Sequence, residues 1–184
     1  NNLLSSQPMA FNLFCPLMQM LEESTEKATK VIKTALPDYP IQEVTGIALE
    51  FIPEKYKELT GDKSAMDAII RFVDTNGKEG FIAVETKYSE NLGKNAAYKK
   101  DGKGKKIPRA QSIDAIRKLR CFTKDVEESI IKGNTPLTQI YRNFLLSEAY
   151  GFHEELQSYS IILAPKEHPT TQKELESLTN VLRD

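Results

Sequence analysis

The chain has 184 residues, of which 40% are hydrophobic and 28% are charged, as expected for a soluble globular protein. No apolar run approaches the roughly 20 residues that a membrane-spanning helix needs, and the formal net charge of −1 gives no sign of a polyanionic partner. A chain of this length is predicted to form one domain, or one domain with an extra helical lobe.

Cysteine usage argues against disulfides and structural zinc. Cys15 and Cys121 are far apart in sequence, and the chain has no CxxC motif or Cys/His cluster. This predicts a protein of the reducing cytoplasm. The start of the chain, NNLLSSQPMAFNLF, lacks a basic region followed by an apolar stretch, so no signal peptide is expected.

The first part of the chain predicts helix and then sheet. Residues 11–35 have a helical pattern in which Pro16 is predicted either to break or to start a helix, and PDYP at 37–40 predicts a turn. Alternating or continuous apolar runs then predict three strands, at residues 44–52, 66–74 and 80–88. The Asn-Gly pair between the last two runs is a hairpin signal.

The second part predicts mainly helices. Residues 110–132 have helical spacing, and a second helix is predicted from an N-cap at Thr135, with Pro136 in the first turn, to Gly151. A fourth strand at about 158–165 and a last helix from Thr170 or Thr171 complete the pattern. The predicted fold class is therefore α/β (α+β), with a sheet of about four strands flanked by helices on both faces.

The length of the hairpin turn decides which residues of the second and third strands meet. A two-residue turn would bring Asp67 opposite Thr86. The sequence DTNGK better suits a three-residue loop that ends in a left-handed Gly77. Asp67 then lies opposite Glu85, with Lys87 next on the same face, because alternate residues of a strand share a face.

Two neighbouring carboxylates repel each other unless a cation compensates them. Asp67, Glu85 and the backbone carbonyl of Thr86 are hard oxygen ligands of the type that Mg²⁺ prefers, and Mn²⁺ would suit them too. With Lys87 beside them, they predict metal-assisted hydrolysis of a phosphodiester. The alternative is a simple salt bridge between Glu85 and Lys87 in a structural or interaction domain.

Two more groups of residues are candidates for the site. Glu50 lies in the otherwise apolar first strand and is either a third acid of the site or a partner of a nearby cation. Asp62 is interpreted as a turn residue. The segment KNAAYKKDGKGKKIPR is predicted to be a loop, either solvated only or in contact with phosphates. Its cationic residues are Lys94, Lys99, Lys100, Lys103, Lys105, Lys106 and Arg109.

The order of Glu50, Asp67, a hairpin and Glu85-Thr86-Lys87 resembles the PD-(D/E)XK, or restriction-endonuclease-like, nuclease superfamily and its αβββαβ core. The segments SSQPMAFNLF, TGDKSAMDA and IAVETKYSENL are similar to a bacterial group within it. The resemblance runs from Leu3 to about Pro165, and we expect residues 1–184 to form one such domain. It implies that Asp67 and Glu85 bind metal, that Lys87 is catalytic and that Glu50 is the additional acid.

The chain departs from the superfamily pattern at three points. Met66, not proline, precedes Asp67. In many members the upstream acid lies on the first helix, and the acids there that compete with Glu50 are Glu22, Glu23 and Glu26. Some members carry a Gln-x-x-x-Tyr helix motif, but Gln139 is followed by Asn143. Gln139 and Arg142 share a helix face and either reach the site or a phosphate, or are simply exposed.

The resemblance implies a Mg²⁺-dependent deoxyribonuclease with a restriction- or repair-like role. The alternative is a catalytically inactive nucleic-acid-binding module with the same fold. A homodimer would suit an enzyme that cuts both strands of DNA.

Overall fold

The structure is a computed structural model that describes residues 5–88, 99–100, 106–168 and 171–182. No helix in these ranges is long and apolar enough to cross a membrane. The helices are α1 (Ser6–Glu23), α2 (Thr25–Ala35), α3 (Tyr56–Leu59), α4 (Ala110–Leu119), α5 (Lys124–Ile131), α6 (Gln139–Glu154) and α7 (Thr171–Thr179). The strands are β1 (Ile41–Phe51), β2 (Met66–Asp74), β3 (Glu79–Thr86), β4 (Lys99–Lys100), β5 (Lys106–Ile107) and β6 (Gln157–Leu163).

The main sheet has four strands in the order β1-β2-β3-β6. The first three strands form an antiparallel meander, and β6 joins β3 in parallel after the helical segment. The predicted mixed α and β architecture and its αβββαβ order are confirmed. Strand β2 has the predicted bounds, whereas β1 begins three residues earlier than expected.

Helices cover both faces of this sheet, as the apolar character of β2 and β3 predicts. On one face, α1 and α2 pack against Ala68, Ile70 and Phe72. On the other face, α6 packs against Ile69 and Phe81 through side chains that include Leu146 and Tyr150. A further apolar cluster joins α4 and α5 to α6 and α7, with Phe122 and Leu145 almost fully buried. The strands that carry the candidate site are therefore held from both sides.

The hairpin between β2 and β3 has the predicted register, with Ala68 opposite Val84 and Val73 opposite Glu79. Asp74 N donates to Lys78 O at 2.8 Å, which closes a three-residue loop. Gly77 ends this loop with φ = +77°, a left-handed conformation that costs glycine little. The two-residue turn is therefore wrong, and Asp67 and Glu85 lie at the same level of the sheet.

The single helix predicted over residues 110–132 is wrong, because the chain forms α4 and α5 with a break between them. Arg120 ends α4 in a left-handed conformation with φ = +51°. Phe122 then enters the core with no exposed surface, and Thr123 N donates to Val181 O at 2.8 Å. Burial of Phe122 against the end of the chain interrupts the helical repeat, and sequence periodicity alone did not reveal this.

The bounds predicted for the second helix were also wrong at both ends. The hydroxyls of Thr135 and Ser129 are hydrogen-bonded at 2.7 Å, so Thr135 closes the end of α5 and does not cap α6. Gly151 does not end the helix but lies inside α6. A Cβ at this position would lie only 2.8 Å from Ser158 Cβ on β6. This glycine therefore permits close packing of helix on strand, and α6 continues to Glu154.

Candidate nuclease site

The open end of the β2–β3 hairpin is where the candidate acids meet. The paired residues of these two strands run as far as Ala68 and Val84. Beyond this point the carboxylate of Asp67 accepts hydrogen bonds at its Oδ2 from Thr86 N and from Thr86 Oγ1, both at 2.7 Å. The Asp67 side chain thus takes the place of the next backbone acceptor. Its carboxylate lies between the two strands at this open end, which we call the mouth of the hairpin.

Glu85 is surrounded by donors. Lys87 Nζ forms an ion pair with Glu85 Oε1, and the exposed fractions of Glu85 and Lys87 are only 6% and 4%. From α6, Gln139 Nε2 donates to Glu85 Oε1 at 2.8 Å, and Asn143 Nδ2 donates to Glu85 Oε2. Lys87 is fixed in turn by its backbone N–H, which donates to Leu163 O on β6 at 2.8 Å. The orientation of the Glu85 carboxylate is therefore set by two elements at once.

Burial raises the pKa of the Glu85 carboxyl above its ordinary value. The positive charge of Lys87 opposes this shift, and the negative charge of Asp67 adds to it. A cavity of about 60 Å³ beside Glu85 and Asn143 is otherwise lined mostly by apolar side chains, which explains the desolvation. A carboxyl with a raised pKa beside a second acid is a frequent property of functional sites.

Asn143 is a site residue that sequence reasoning missed. It lies one helical turn after Gln139, so the two amides share a face of α6, and each donates a hydrogen bond to a different oxygen of Glu85. The buried Asn143 Oδ1 has no hydrogen-bond donor within the described part of the chain. The signal was available in the spacing, since Asn143 stands at the fourth position after Gln139, where some superfamily members have tyrosine.

Arg142 was predicted either to reach the site or a phosphate or to be simply exposed, and Asp62 was interpreted as a turn residue. The two instead form an ion pair of 2.7 Å. Their side chains are 13% and 14% exposed, and Arg142 Nη1 also donates to Ser64 Oγ at 3.3 Å. This pair ties the loop that leads into β2 to helix α6. It therefore links the strand that carries Asp67 to the helix that carries Gln139 and Asn143.

Glu50 lies at the level of Asp67, since Leu49 and Phe51 pair with Ala68 and Met66. It is exposed and has φ = +48°, a strained value for a residue other than glycine. Gln7 Nε2, from the first turn of α1, donates to Glu50 Oε1 at 3.4 Å. The competing acids lie elsewhere: Glu22 and Glu23 are at the opposite end of α1, and Glu26 lies in the first turn of α2.

The basic segment is described only in part. Lys103 and Lys105, like Lys94, lie outside the described residues. Lys99, Lys100 and Lys106 belong to the short antiparallel pair β4–β5, where the sequence predicted a loop. Arg109 is exposed at the start of α4.

A family model of the PD-(D/E)XK nuclease superfamily matches residues 1–184, the whole chain. The chain belongs to the PD-(D/E)XK nuclease superfamily. No curated protein and no solved structure matches it. Membership confirms the resemblance drawn from the sequence, and it supports a hydrolytic nuclease that acts on nucleic acid.

PD-(D/E)XK nucleases typically depend on divalent metal ions, and the donor atoms at the hairpin mouth fit one. The carboxylates of Asp67 and Glu85 and the Thr86 carbonyl are hard oxygen donors, and Mg²⁺ is usually held by one or two carboxylates with waters and substrate phosphates. In the described ranges, no three His, Cys, Asp or Glu side chains form a group that could hold a metal ion by themselves. Glu50 is thus not converged with the other two acids.

Proposed function

We propose that this superfamily member is a metal-dependent deoxyribonuclease whose site is Asp67, Glu85 and Lys87, with Glu50 as an outer acid. The observation that carries the proposal is the buried Glu85, which contacts Lys87 and lies near enough to Asp67 for the Asp67 charge to raise its pKa. Asp67, Glu85 and Lys87 together at the open end of the hairpin are poorly suited to a purely structural role, because each carboxylate raises the free-energy cost of ionising the other.

Each residue has a distinct task in this proposal. Asp67, Glu85 and the Thr86 carbonyl would hold Mg²⁺, or Mn²⁺ in its place. When bound, such a cation supplies positive charge to the phosphate and an activated water. Gln139 and Asn143 keep the Glu85 carboxylate oriented toward the site. The Lys87 ammonium neutralises the charge that develops on the phosphate as the bond to the leaving oxygen breaks.

Substrate binding rests on the basic residues after β3. Lys99, Lys100, Lys103, Lys105, Lys106 and Arg109 would contact DNA phosphates, which would make binding salt-dependent. Gln139 would act on Glu85 and not on phosphate, since its amide already donates to that carboxylate. We further propose that residues 1–184 form one domain, that it acts in the cytoplasm, and that a homodimer would cut both strands.

The test is cleavage of double-stranded DNA, single-stranded DNA and RNA with Mg²⁺ or Mn²⁺ by the wild type and by Asp67→Ala, Glu85→Ala and Lys87→Ala. We expect metal-dependent cleavage of DNA by the wild type and its loss in all three variants. Glu128→Ala is the matched control, because Glu128 is an exposed acid paired with Lys132 on α5. Its activity should equal that of the wild type.

Two outcomes would contradict this proposal differently. Cleavage that survives in all three variants would show that the site is wrong. Salt-sensitive DNA binding by the wild type, without cleavage under any metal condition, would favour the inactive nucleic-acid-binding module.

A further inference from the structure

Thr86 makes two hydrogen bonds to one oxygen atom of Asp67. Its backbone N–H and its hydroxyl both lie 2.7 Å from Asp67 Oδ2. Thr86 has no exposed surface, so water does not compete for this contact. Within the described residues, the hydroxyl has one further acceptor in reach, Ser6 O on α1, at the longer distance of 3.3 Å. A hydroxyl has one proton, and the shorter distance assigns it to Asp67.

These two donors fix how the Asp67 carboxylate faces the site. A carboxylate that receives both bonds on Oδ2 cannot rotate about its Cβ–Cγ bond without breaking them. Its other oxygen, Oδ1, has no hydrogen-bond donor in the described ranges of the chain. Asp67 therefore presents a single oxygen that is available to a cation, while Oδ2 is occupied on the protein side.

We propose that the Thr86 hydroxyl is a positioning residue that restricts Asp67 to one-oxygen binding and so favours Mg²⁺ and Mn²⁺ over Ca²⁺. Ca²⁺ takes six to eight oxygens at longer distances and often binds both oxygens of a carboxylate, whereas Mg²⁺ needs a near-octahedral arrangement. A carboxylate that offers only one oxygen therefore suits Mg²⁺ better than Ca²⁺. This inference rests on the proposed function, because it assumes that Asp67 is a metal ligand.

Isosteric replacement isolates the hydroxyl. Thr86→Val keeps the shape and the backbone N–H of residue 86 but removes the O–H donor, and Thr86→Ser restores that donor. Thr29→Val is the matched control, because Thr29 is also buried and its hydroxyl accepts from Val44 N at 3.0 Å, in the core between α2 and β1. Loss of a buried threonine hydroxyl there should lower stability without affecting the metal site.

The measurement is calorimetric titration of the purified variants with Mn²⁺ and with Ca²⁺. We expect Thr86→Val to bind Mn²⁺ about 10- to 100-fold more weakly, as is typical when a partner of a metal ligand is removed. Ca²⁺ affinity should fall less, so the preference for Mn²⁺ over Ca²⁺ narrows. Thr86→Ser should recover both the affinity and the preference, and Thr29→Val should keep both.

The inference and the proposed function fail in different ways. If Thr86→Val binds Mn²⁺ with wild-type affinity and preference while Asp67→Ala does not bind it, the inference is overturned and the proposed site stands. If Asp67→Ala binds Mn²⁺ as the wild type does, the metal site itself is wrong. Should Thr86→Val lose its cooperative thermal transition, Thr86→Ala replaces it, with the same expected and contradicting results.

Discussion

The two ends of the β2–β3 hairpin each hold a buried carboxylate, but the surroundings of these carboxylates are opposite. At the turn, Asp74 accepts from the backbone N–H groups of Asn76 and Lys78 at 2.7 and 2.8 Å and from Gln157 Nε2 at 2.8 Å. At the open end, Glu85 also receives amide donors, yet it is buried beside an amine and near a second acid.

Their pKa values move in opposite directions for physical reasons. Hydrogen bonds from Gln157 and from Lys78 lower the pKa of Asp74, because they stabilise the ionised form. Burial raises the pKa of Glu85, and Lys87 only partly offsets it. The ionised form of Asp74 is thus stabilised by hydrogen bonds of the fold alone. The ionised form of Glu85 is only partly stabilised, and a further positive charge would stabilise it more. Under the proposed function, this difference distinguishes a structural acid at the turn, Asp74, from a functional acid at the open end, Glu85.

The largest expected effect is on catalysis at the open end. Lys87→Met should lower the rate of metal-dependent DNA cleavage by about 10²- to 10⁴-fold, the range for loss of a group that acts on protons or charge in the transition state. Asp74→Asn, at the turn, should leave the rate unchanged. Single-turnover cleavage measures both. Equal losses in the two variants would mean that the two ends do not differ in function.

The next effect is on stability and on its pH dependence. Lys87→Met leaves Glu85 buried without its cation, which should lower the free energy of unfolding by about 3 kcal/mol near neutral pH. The folded-state pKa of Glu85 then lies further above its unfolded value, so the folded state binds the proton more tightly. The free energy of unfolding should therefore fall as pH rises from the ordinary carboxyl value to the raised one, and it should recover on acidification.

Denaturant unfolding across this pH range tests the sign. Glu85→Gln/Lys87→Met is the control, because it removes both charges of the pair. It should recover much of the lost stability and lose this component of the pH dependence. A single Lys87→Met variant whose stability does not change with pH would argue that Glu85 is not buried in solution.

Local turn chemistry explains why the open end could be predicted at all. Asp74, Asn76 and Gly77 are neighbours in sequence, and together they specify the loop that sets the register of the hairpin. That register brings Asp67 level with Glu85, and strand alternation places Lys87 on the same face. Each step uses contacts between residues close in the chain or paired by a regular ladder, so a single sequence contains the information.

The surroundings of Glu85 could not be predicted in the same way. Asn143 reaches Glu85, and Arg142 reaches Asp62, only because α6 packs on β3 at a particular height and rotation. Gln7 likewise meets Glu50 through the packing of α1 on the sheet. These contacts join residues far apart in the chain, and amphipathic periodicity indicates which face of a helix is buried but not which strand residue it meets.

A smaller effect is expected when equivalent donors are removed at each end. Gln139→Leu removes a donor to Glu85, and Gln157→Leu removes a donor to Asp74, both from hydrogen bonds of 2.8 Å. Gln139→Leu should weaken Mn²⁺ binding or cleavage about 10-fold, the lower end for a residue that orients a metal ligand. Gln157→Leu should raise the pKa of Asp74 and lower the melting temperature, with wild-type cleavage. Equal effects of the two substitutions on Mn²⁺ binding and cleavage would contradict the contrast between a functional open end and a structural turn.

The smallest effect concerns the turn itself. Gly77 has φ = +77°, and beyond its two chain neighbours no described residue places an atom within 4 Å of the position that a Cβ would occupy, so substitution meets conformational strain but no collision. Gly77→Ala should therefore lower the free energy of unfolding by about 1 kcal/mol, and Gly77→Asn by less, because asparagine tolerates the left-handed region better. Chemical denaturation measures both.

Neither Gly77 variant should change cleavage if the loop keeps its three residues, because the register at Asp67 and Glu85 then stays the same. Loss of activity in Gly77→Ala without loss of folding would mean that the strained loop shifts the register. Since a shift of one residue exchanges the faces of a strand, such a shift would carry Asp67 away from Glu85. The turn, about 23 Å from Asp67 by the rise of the seven strand residues between Asp67 and Asp74, would then control the site through register alone.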